Sequence, residues 1–493
     1  MTGCADKLVV LGAVLALSVP NLAEGADAPL VEAVKRQDVA GVEALLAGSV
    51  DVNAPQPDGA TALHWAVHLD NAEISERLIQ AGATIDATNE YGVTPISIAC
   101  SNSSASLVEM LLAAGADTNQ TRPTGETLLM RAASTGNLRT VDALLTHGAD
   151  VNQTEPELGQ TPLMWAISAG HPAVAATLIA RGADVLARST GGFTPLLFAA
   201  REGDLDSARL LVTTGADVDD AMENGTSALL VATVRGHVPV AIFLLEQGAD
   251  PNVSGPGYTP LHWATGSWQT ELSGPNGITT NRDDEWRGLR GVPGDKVQLV
   301  RTLLAHGADP DARLESTPPR AGYSQLGVEH RVAGVRPFPG ATPFLLAAMA
   351  GDVEVMRVLA DAGADPNLTP NDHTTPLMLA AGLGRYMAET LVTEARSLEA
   401  VALALDLGAD VNAVNDTGNT ALHGAAYIKS DALVHLLVSH GAALSGVNAR
   451  GQTPLMVAEL SRAGSATTTT RTSTGDLLRE LGAETVADDQ PPR

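Results

Sequence analysis

The chain has 493 residues, which is too long for a single hydrophobic core, because such cores usually stop growing at about 250 to 300 residues. Hydrophobic residues make up 44% of the chain but aromatic residues only 3%, which favours small, closely stacked helices over a sheet sandwich. The formal net charge of -27 repels phosphate groups and anionic lipids, so it argues against nucleic acid and membrane surfaces as general partners.

The first predicted element is a secretory signal peptide at residues 1–25. Lys7 precedes an apolar run at 8–19, and small residues follow at 23–28, which is the layout of such a signal. The run is shorter than the roughly 20 residues that a membrane-spanning helix needs. We therefore expect cleavage within 23–28 and a periplasmic or secreted protein that keeps no integral membrane segment. The alternative is a buried, uncleaved N-terminal helix in a cytoplasmic protein.

A sequence repeat accounts for most of the remaining chain. A phrase that opens with Thr or Ser and reads "T-P-L" or a close variant recurs at steps of 32 to 34 residues, at positions 61, 94, 127, 161, 194, 227 and 259, and resumes at 342, 375, 420 and 453. Thr is a good helix N-cap and Pro suits the first helical position, so each phrase predicts a helix start. A Leu-rich run follows and ends in "GAD" or a near form, whose Gly predicts a left-handed helix stop. Each unit is thus a helix, a turn, a second helix and a connecting finger.

The phrase at 259–264 reads T-P-L-H-x-A, and in this phrase and in its period the chain resembles the ankyrin repeat family. The resemblance covers about residues 28–485, as eleven recognisable repeats plus an N-terminal capping pair of helices. It implies an all-α repeat solenoid in which inner helices and β-turn fingers form a concave groove that binds other proteins. With an export signal and irregular later repeats, the chain also looks like the long ankyrin proteins of bacteria.

The repeat spacing sets the predicted domain boundaries. After the signal peptide come N-terminal capping helices at 28–57, regular repeats at 58–256, a repeat with two insertions at 257–341, partly irregular repeats with a C-terminal cap at 342–485, and a disordered tail at 486–493.

Three insertions interrupt the later repeats, at 265–295, 312–340 and 382–397. The first falls in the turn between two helices, opposite the fingers, and the second falls in a finger on the groove side. Long loops of this kind are either functional or disordered. Because Trp is enriched at binding hot spots, Trp268 and Trp286 favour a contact between the first insertion and a partner. The alternative is that this loop folds back onto its own array.

Seven further aromatic residues are expected to line the groove. Trp65, Trp165, Phe198 and Trp263 occupy the fourth position after the opening Thr or Ser, and Tyr91, Phe193 and Tyr258 lie in the fingers. Helical geometry places the fourth position on the side that faces the variable seventh and eighth positions. Together with the two Trp residues of the first insertion, these residues are the predicted partner-binding set. The alternative is that the rings pack between adjacent inner helices.

The histidines give no indication of catalysis. His64, His262 and His423 occupy the motif position, where the resemblance implies a hydrogen bond to the capping Thr, and His147, His306 and His440 precede the Gly that ends a helix. The sequence has no zinc-protease, phosphate-loop or nucleophile-elbow motif. A chance metal site that includes Glu329 and His330 stays open as a minor alternative. We therefore predict no catalytic residue, no cofactor and no metal.

These observations predict a monomeric protein–protein interaction scaffold that binds an unidentified protein through its groove and its late insertions. Two alternatives stay open. One is an enzyme whose site is built by the insertions on an ankyrin frame, and the other is a structural or partner-protecting protein of the cell envelope.

Overall fold

The computed structural model describes residues 29–266, 293–315, 339–384, 392–460 and 471–484. Within these ranges the chain forms helices joined by turns, with one isolated antiparallel bridge between Thr121 and Thr127 and no extended strand. The predicted signal peptide and the predicted tail lie outside the described residues, as do Trp268 and Trp286.

The described residues contain 24 helices that follow one another as pairs. The pairs are α1 (Pro29–Lys35) and α2 (Val39–Leu46), α3 (Ala62–His68) and α4 (Ala72–Gln80), α5 (Pro95–Ser101) and α6 (Ala105–Ala113), α7 (Leu128–Thr135) and α8 (Leu138–Thr146), α9 (Pro162–Ser168) and α10 (Pro172–Ala180), α11 (Pro195–Glu202) and α12 (Leu205–Thr213), α13 (Ala228–Arg235) and α14 (Val238–Glu246), α15 (Pro260–Thr265) and α16 (Pro293–Ala305), α17 (Pro343–Ala350) and α18 (Val353–Asp361), α19 (Pro376–Ala380) and α20 (Glu394–Asp406), α21 (Ala421–Ile428) and α22 (Asp431–Ser439), and α23 (Pro454–Glu459) and α24 (Ser473–Glu480). The all-α repeat prediction is confirmed, with one pair before the eleven that begin at the repeated phrase.

The repeated phrase starts the first helix of each pair in the predicted way. At Thr194 the side chain accepts a hydrogen bond from the backbone N–H of Leu197, and Pro195 occupies the first helical position. At the other end, Gly82 follows α4 with a φ of +88°, in the left-handed region that L side chains rarely adopt. A Cβ added there would meet no atom within 4 Å, so the backbone conformation and not space selects glycine at this position.

The chain divides into two compact units, at 1–223 and 224–493. Within each unit, first helices pack against the first helices of neighbouring pairs, and second helices pack against second helices. Leu and Ala residues of these helices form the cores, as with the fully buried Leu63 in the first unit and Leu229 in the second.

The fingers are joined by asparagine rungs, which the sequence reasoning did not identify. The Asn53 side chain donates to the Gly82 carbonyl at 3.2 Å and accepts from the Thr84 N–H at 2.7 Å. Equivalent pairs of bonds are made by Asn152, Asn252 and Asn412. Because each rung satisfies backbone groups of the next repeat, it fixes the spacing between fingers.

At Leu186 the rung position is apolar and 52% exposed. Arg188 joins this finger to the next one instead. Its guanidinium donates to the Ala221 carbonyl at 3.1 Å and pairs with Asp220.

Two predicted insertions are too long at their C-terminal ends. Helix α16 begins at Pro293, inside the range 265–295, because proline is well suited to the first helical position. Helix α20 begins at Glu394, inside the range 382–397, where the Thr393 hydroxyl caps the helix by accepting from the Arg396 N–H. Residues 267–292, 316–338 and 385–391 lie outside the described part of the chain.

Candidate functional site

The predicted partner-binding residues separate between the two units. Trp65, Tyr91, Trp165, Phe193 and Phe198 belong to the first unit, and Tyr258 and Trp263 belong to the second. We use the term first-helix face for the surface formed by the first helices α1, α3, α5, α7, α9 and α11 of the first unit with their fingers. The structure assigns a different environment to each ring, so each is described in turn.

Trp65 of α3 packs at the N-terminal end of the first-helix face. Its indole Nε1 donates to the Gln56 side-chain oxygen at 2.7 Å, and its ring is largely buried. The Lys35 ammonium lies 4.6 Å from the ring centroid, which is a cation–π distance. The positive charge of Lys35 therefore lies over one face of the Trp65 ring.

Trp165 of α9 lies beside a charged cluster. The Arg131 guanidinium from α7 is centred 6.0 Å from the Trp165 ring. Its Nε lies 2.5 Å from Glu126 Oε1, and its Nη2 donates to Glu126 Oε2 at 2.8 Å. A second guanidinium, that of Arg122, lies 3.5 Å from the same carboxylate. Two arginines thus share one acidic group, which leaves an excess of one positive charge.

The two phenylalanines form a third pair of ring and cation. The ring centroids of Phe193 and Phe198 are 5.6 Å apart, and the Arg201 guanidinium is centred 4.7 Å from the Phe198 ring and 5.7 Å from the Phe193 ring. Phe198 is buried, whereas Phe193 is half-buried at the end of its finger. Only the Phe193 ring of this pair thus offers substantial surface for contact.

Tyr91 is the most exposed of the predicted rings, at 48% of its surface. Its hydroxyl donates a hydrogen bond to the Glu90 carboxylate, and this bond raises the pKa of Tyr91. The residue lies in the finger that precedes α5, where a partner can reach it.

Tyr258 and Trp263 form the core of the second unit around α15. Their centroids are 5.8 Å apart, and they pack in one buried cluster with Leu314 and Leu345. Trp263 is only 1% exposed, and burial raises the pKa of Tyr258. In this structure these two rings pack as the alternative interpretation expects. Their role in binding a partner, like that of the other seven residues, stays a prediction.

Residues at the two ends of the second insertion close this cluster. The Leu314 N–H donates to the Ala341 carbonyl at 2.9 Å, and the Glu315 N–H donates to the Gly257 carbonyl at 2.9 Å. The two ends of the finger therefore meet within the buried cluster that contains the Trp263 ring.

The motif histidines have the structural role that the family resemblance implies. His64 Nδ1 accepts from the Thr61 N–H at 3.1 Å and lies 2.9 Å from the Thr61 hydroxyl, while its Nε2 lies 3.0 Å from the Val93 carbonyl. Because a backbone N–H only donates and a carbonyl only accepts, Nδ1 is unprotonated and Nε2 carries the hydrogen. His262 and His423 repeat this geometry. Burial lowers the pKa of all three, to about 4 for His262.

Two absences concern the described residues alone. They contain no group of three His, Cys, Asp or Glu side chains placed to hold a metal ion, and Glu329 and His330 fall outside them. No helix among them has the length and apolar character needed to cross a bilayer.

The charge of the first-helix face is a feature that the sequence reasoning missed. Helices α3, α5, α7 and α9 contain no Asp or Glu, although the whole chain has 57 of them. Arg131 is the one Arg or Lys within these four helices. An alignment of the repeats by their opening Thr would have revealed this acid-free stretch.

A family model described as ankyrin repeats in three copies matches this chain at residues 30–122, 104–189, 196–272, 294–399 and 392–468. Two solved structures of similar fold are the human ASB11 ankyrin repeat domain and the ankyrin repeat domain of Bcl-3. The first is 27% identical, with coverage of 41% of this chain and 90% of that chain and a TM-score of 0.38. The second is 28% identical, with coverage of 45% and 100% and a TM-score of 0.41.

Three curated proteins are similar to parts of the chain. Neurogenic locus notch homolog protein 1 of Homo sapiens is 30% identical over 216 residues, which is 42% of this chain and 8% of that protein. Neurogenic locus notch homolog protein 2 of Homo sapiens is 32% identical over 205 residues, or 39% and 7%. E3 ubiquitin-protein ligase KEG of Arabidopsis thaliana is 28% identical over 226 residues, or 40% and 11%. The chain thus spans only 7 to 11% of the length of these curated relatives.

Proposed function

The chain belongs to the ankyrin repeat family, a family of protein–protein interaction domains, and we propose that it is a scaffold that binds another protein along its first-helix face. Repeat arrays use extended surfaces of this kind because each repeat presents equivalent positions side by side. We propose a scaffold rather than an enzyme, and the similarity to a ubiquitin ligase covers only 11% of that ligase.

The single observation that supports this surface is the series of rings paired with cations. Lys35 lies over Trp65, Arg131 lies over Trp165, and Arg201 lies over the two phenylalanines. Aromatic and arginine side chains are the types that dominate binding energy at protein interfaces. Of these groups, Trp65, Arg131 and Trp165 stand on first helices that contain no Asp or Glu (α3, α5, α7 and α9), within an acidic chain, whereas Lys35 also pairs with Glu32 at 3.1 Å and Arg201 with Glu202 at 2.8 Å.

Site-specific photo-crosslinking tests the location of the surface. A photoreactive amino acid would replace Ser168 of α9, which is exposed on the first-helix face, and in a matched variant Ala176 of α10, which is exposed on the second helix of the same repeat. Irradiation in cells that express the full chain should yield a protein adduct from position 168 and little from position 176. Adducts of equal yield from both positions, or only from position 176, would contradict the proposed face.

We also propose that the chain is exported. Lys7, the apolar run at 8–19 and the small residues at 23–28 support this proposal. Mass measurement of the purified protein should show an N-terminus within 23–28. A chain that keeps Met1 and stays in the cytoplasm would refute export, while leaving the scaffold proposal intact.

A further inference from the structure

The cluster of Arg122, Glu126 and Arg131 is built around one buried carboxylate. Glu126 is 7% exposed, and Arg131 contacts both of its oxygens through Nε and Nη2. Within the described residues, Arg122 makes its side-chain contact with Glu126 at 3.5 Å, which is longer than a hydrogen bond of good geometry. Because a guanidinium has five N–H donors, the two arginines retain donors beyond those that Glu126 can satisfy.

The ring beside this cluster also has an unused donor. The indole Nε1 of Trp165 is itself buried and has no hydrogen-bond acceptor among the described residues, while the rest of the side chain leaves the residue only half-buried. The neighbouring residues Ser134 of α7, which is half-buried, and Ser168 of α9, which is exposed, are neutral. The excess positive charge therefore lies among the first helices α3, α5, α7 and α9, none of which supplies an acidic group.

We infer that Arg122 and Arg131 bind an acidic side chain of the partner, and this inference rests on the proposed function. The acidic residue belongs to an extended segment of the partner that lies along the first-helix face. Arginine pairs with carboxylate in a planar, two-pronged geometry, and charge complementarity favours such a residue over a neutral one. Packed helices lie about 8 to 10 Å apart, and an extended chain advances about 3.3 Å per residue. Phe193 lies in the finger before α11, two first helices beyond α7, so a side chain about five or six positions from the acidic one would reach this half-buried ring.

A library of random twelve-residue peptides displayed on phage provides the test. Peptides retained by the full chain should carry Asp or Glu at one fixed position. One selected peptide would be synthesised with a fluorescent label, together with its Glu→Gln or Asp→Asn version, and its affinity measured by fluorescence anisotropy. The acidic peptide should bind about tenfold or more tightly than the neutral one, as expected for a hydrogen-bonded charge pair.

Variants of the chain test whether Arg122 and Arg131 cause the preference for the acidic peptide. Arg122→Gln should remove most of the preference for the acidic peptide, and the double variant Arg131→Gln with Glu126→Gln should do so without leaving a buried charge unpaired. The control is Arg139→Gln on α8, where Arg139 pairs with Glu109 at 2.6 Å on the second helix, and it should keep the full preference. Circular dichroism would verify that each variant is folded.

The possible failures are distinct. Peptides that bind the face, compete at position 168 and show no preference for an acidic residue would overturn the inference and leave the proposed function standing. An acidic preference that Arg139→Gln reduces as much as Arg122→Gln would also overturn it, because long-range charge would then explain the binding. A library that yields no retained peptide would count against this inference, while crosslinking would still decide the proposed function.

Discussion

Protonation of His262 should destabilise the second unit as the pH falls below about 6.5. The Nδ1 atom of this buried ring accepts from the Thr259 N–H at 3.2 Å, and Nε2 lies 3.0 Å from the Ala312 carbonyl. A proton on Nδ1 would place a second hydrogen against the donor of Thr259. Burial disfavours the charged form of the ring and lowers the pKa of His262 to about 4, from 6.5 in an exposed ring.

The sign follows from which state binds the proton first. Between pH 6.5 and 4 the unfolded chain protonates His262 while the folded chain does not, so acid favours unfolding. The stabilising contribution is complete above about pH 6.5 and disappears as the pH falls through about 4. A pKa lowered from 6.5 to about 4 corresponds to about 3 kcal/mol of unfolding free energy, with about 1 kcal/mol already lost at pH 5.5.

Two measurements check this prediction. An NMR titration of the His262 ring should give a midpoint well below 6. Urea unfolding of the wild type between pH 7 and pH 5 should lose stability more steeply than that of His262→Gln, which has no group to titrate. His306→Gln is the matched control, because this exposed ring lies at the end of a second helix, with Nδ1 2.9 Å from the Thr302 carbonyl. Equal slopes for the wild type and His262→Gln, or an NMR midpoint near 6.5, would refute the reasoning.

Three further predictions concern the repeats. Leu229→Ala removes a fully buried contact and should cost about 2 to 5 kcal/mol, with hydrogen exchange increasing most in the neighbouring repeats; a uniform increase from residue 61 to residue 455 would contradict stability that adds repeat by repeat. Gly82→Ala should cost about 1 kcal/mol in thermal unfolding because φ is +88°, whereas Gly191→Ala, at an exposed glycine with an ordinary φ, should cost much less. Deletion of 268–290 with a short Gly-containing turn should leave the melting temperature nearly unchanged and weaken partner binding; unfolding of the adjacent repeats would show instead that this segment belongs to the core.

The local signals of the sequence were sufficient for the fold because each repeat contains its own start and stop. The Thr hydroxyl and Pro ring act within one turn of helix, and the Gly acts within its own backbone, so no distant residue needs to be known. The contacts of the candidate site are different. The pairing of Lys35 with Trp65 joins residues in separate repeats, and it depends on how neighbouring first helices are aligned. A single sequence does not specify that alignment to within the few Å that decide a cation–π contact.

Trp165 and Trp263 show why position in the repeat does not determine function. Both occupy the fourth position after the opening Thr, yet Trp165 is half-buried beside Arg131 and Trp263 is 1% exposed within an apolar cluster. The two rings differ in exposure because different residues surround them. In the second unit, Leu314 and Ala341 lie in the same buried cluster as the Trp263 ring, whereas the surroundings of Trp165 leave its ring half-buried. The same aromatic position therefore contributes to the core at Trp263 and provides a half-buried ring beside a positive charge at Trp165, which is why the proposed contact with a partner is placed on the first unit.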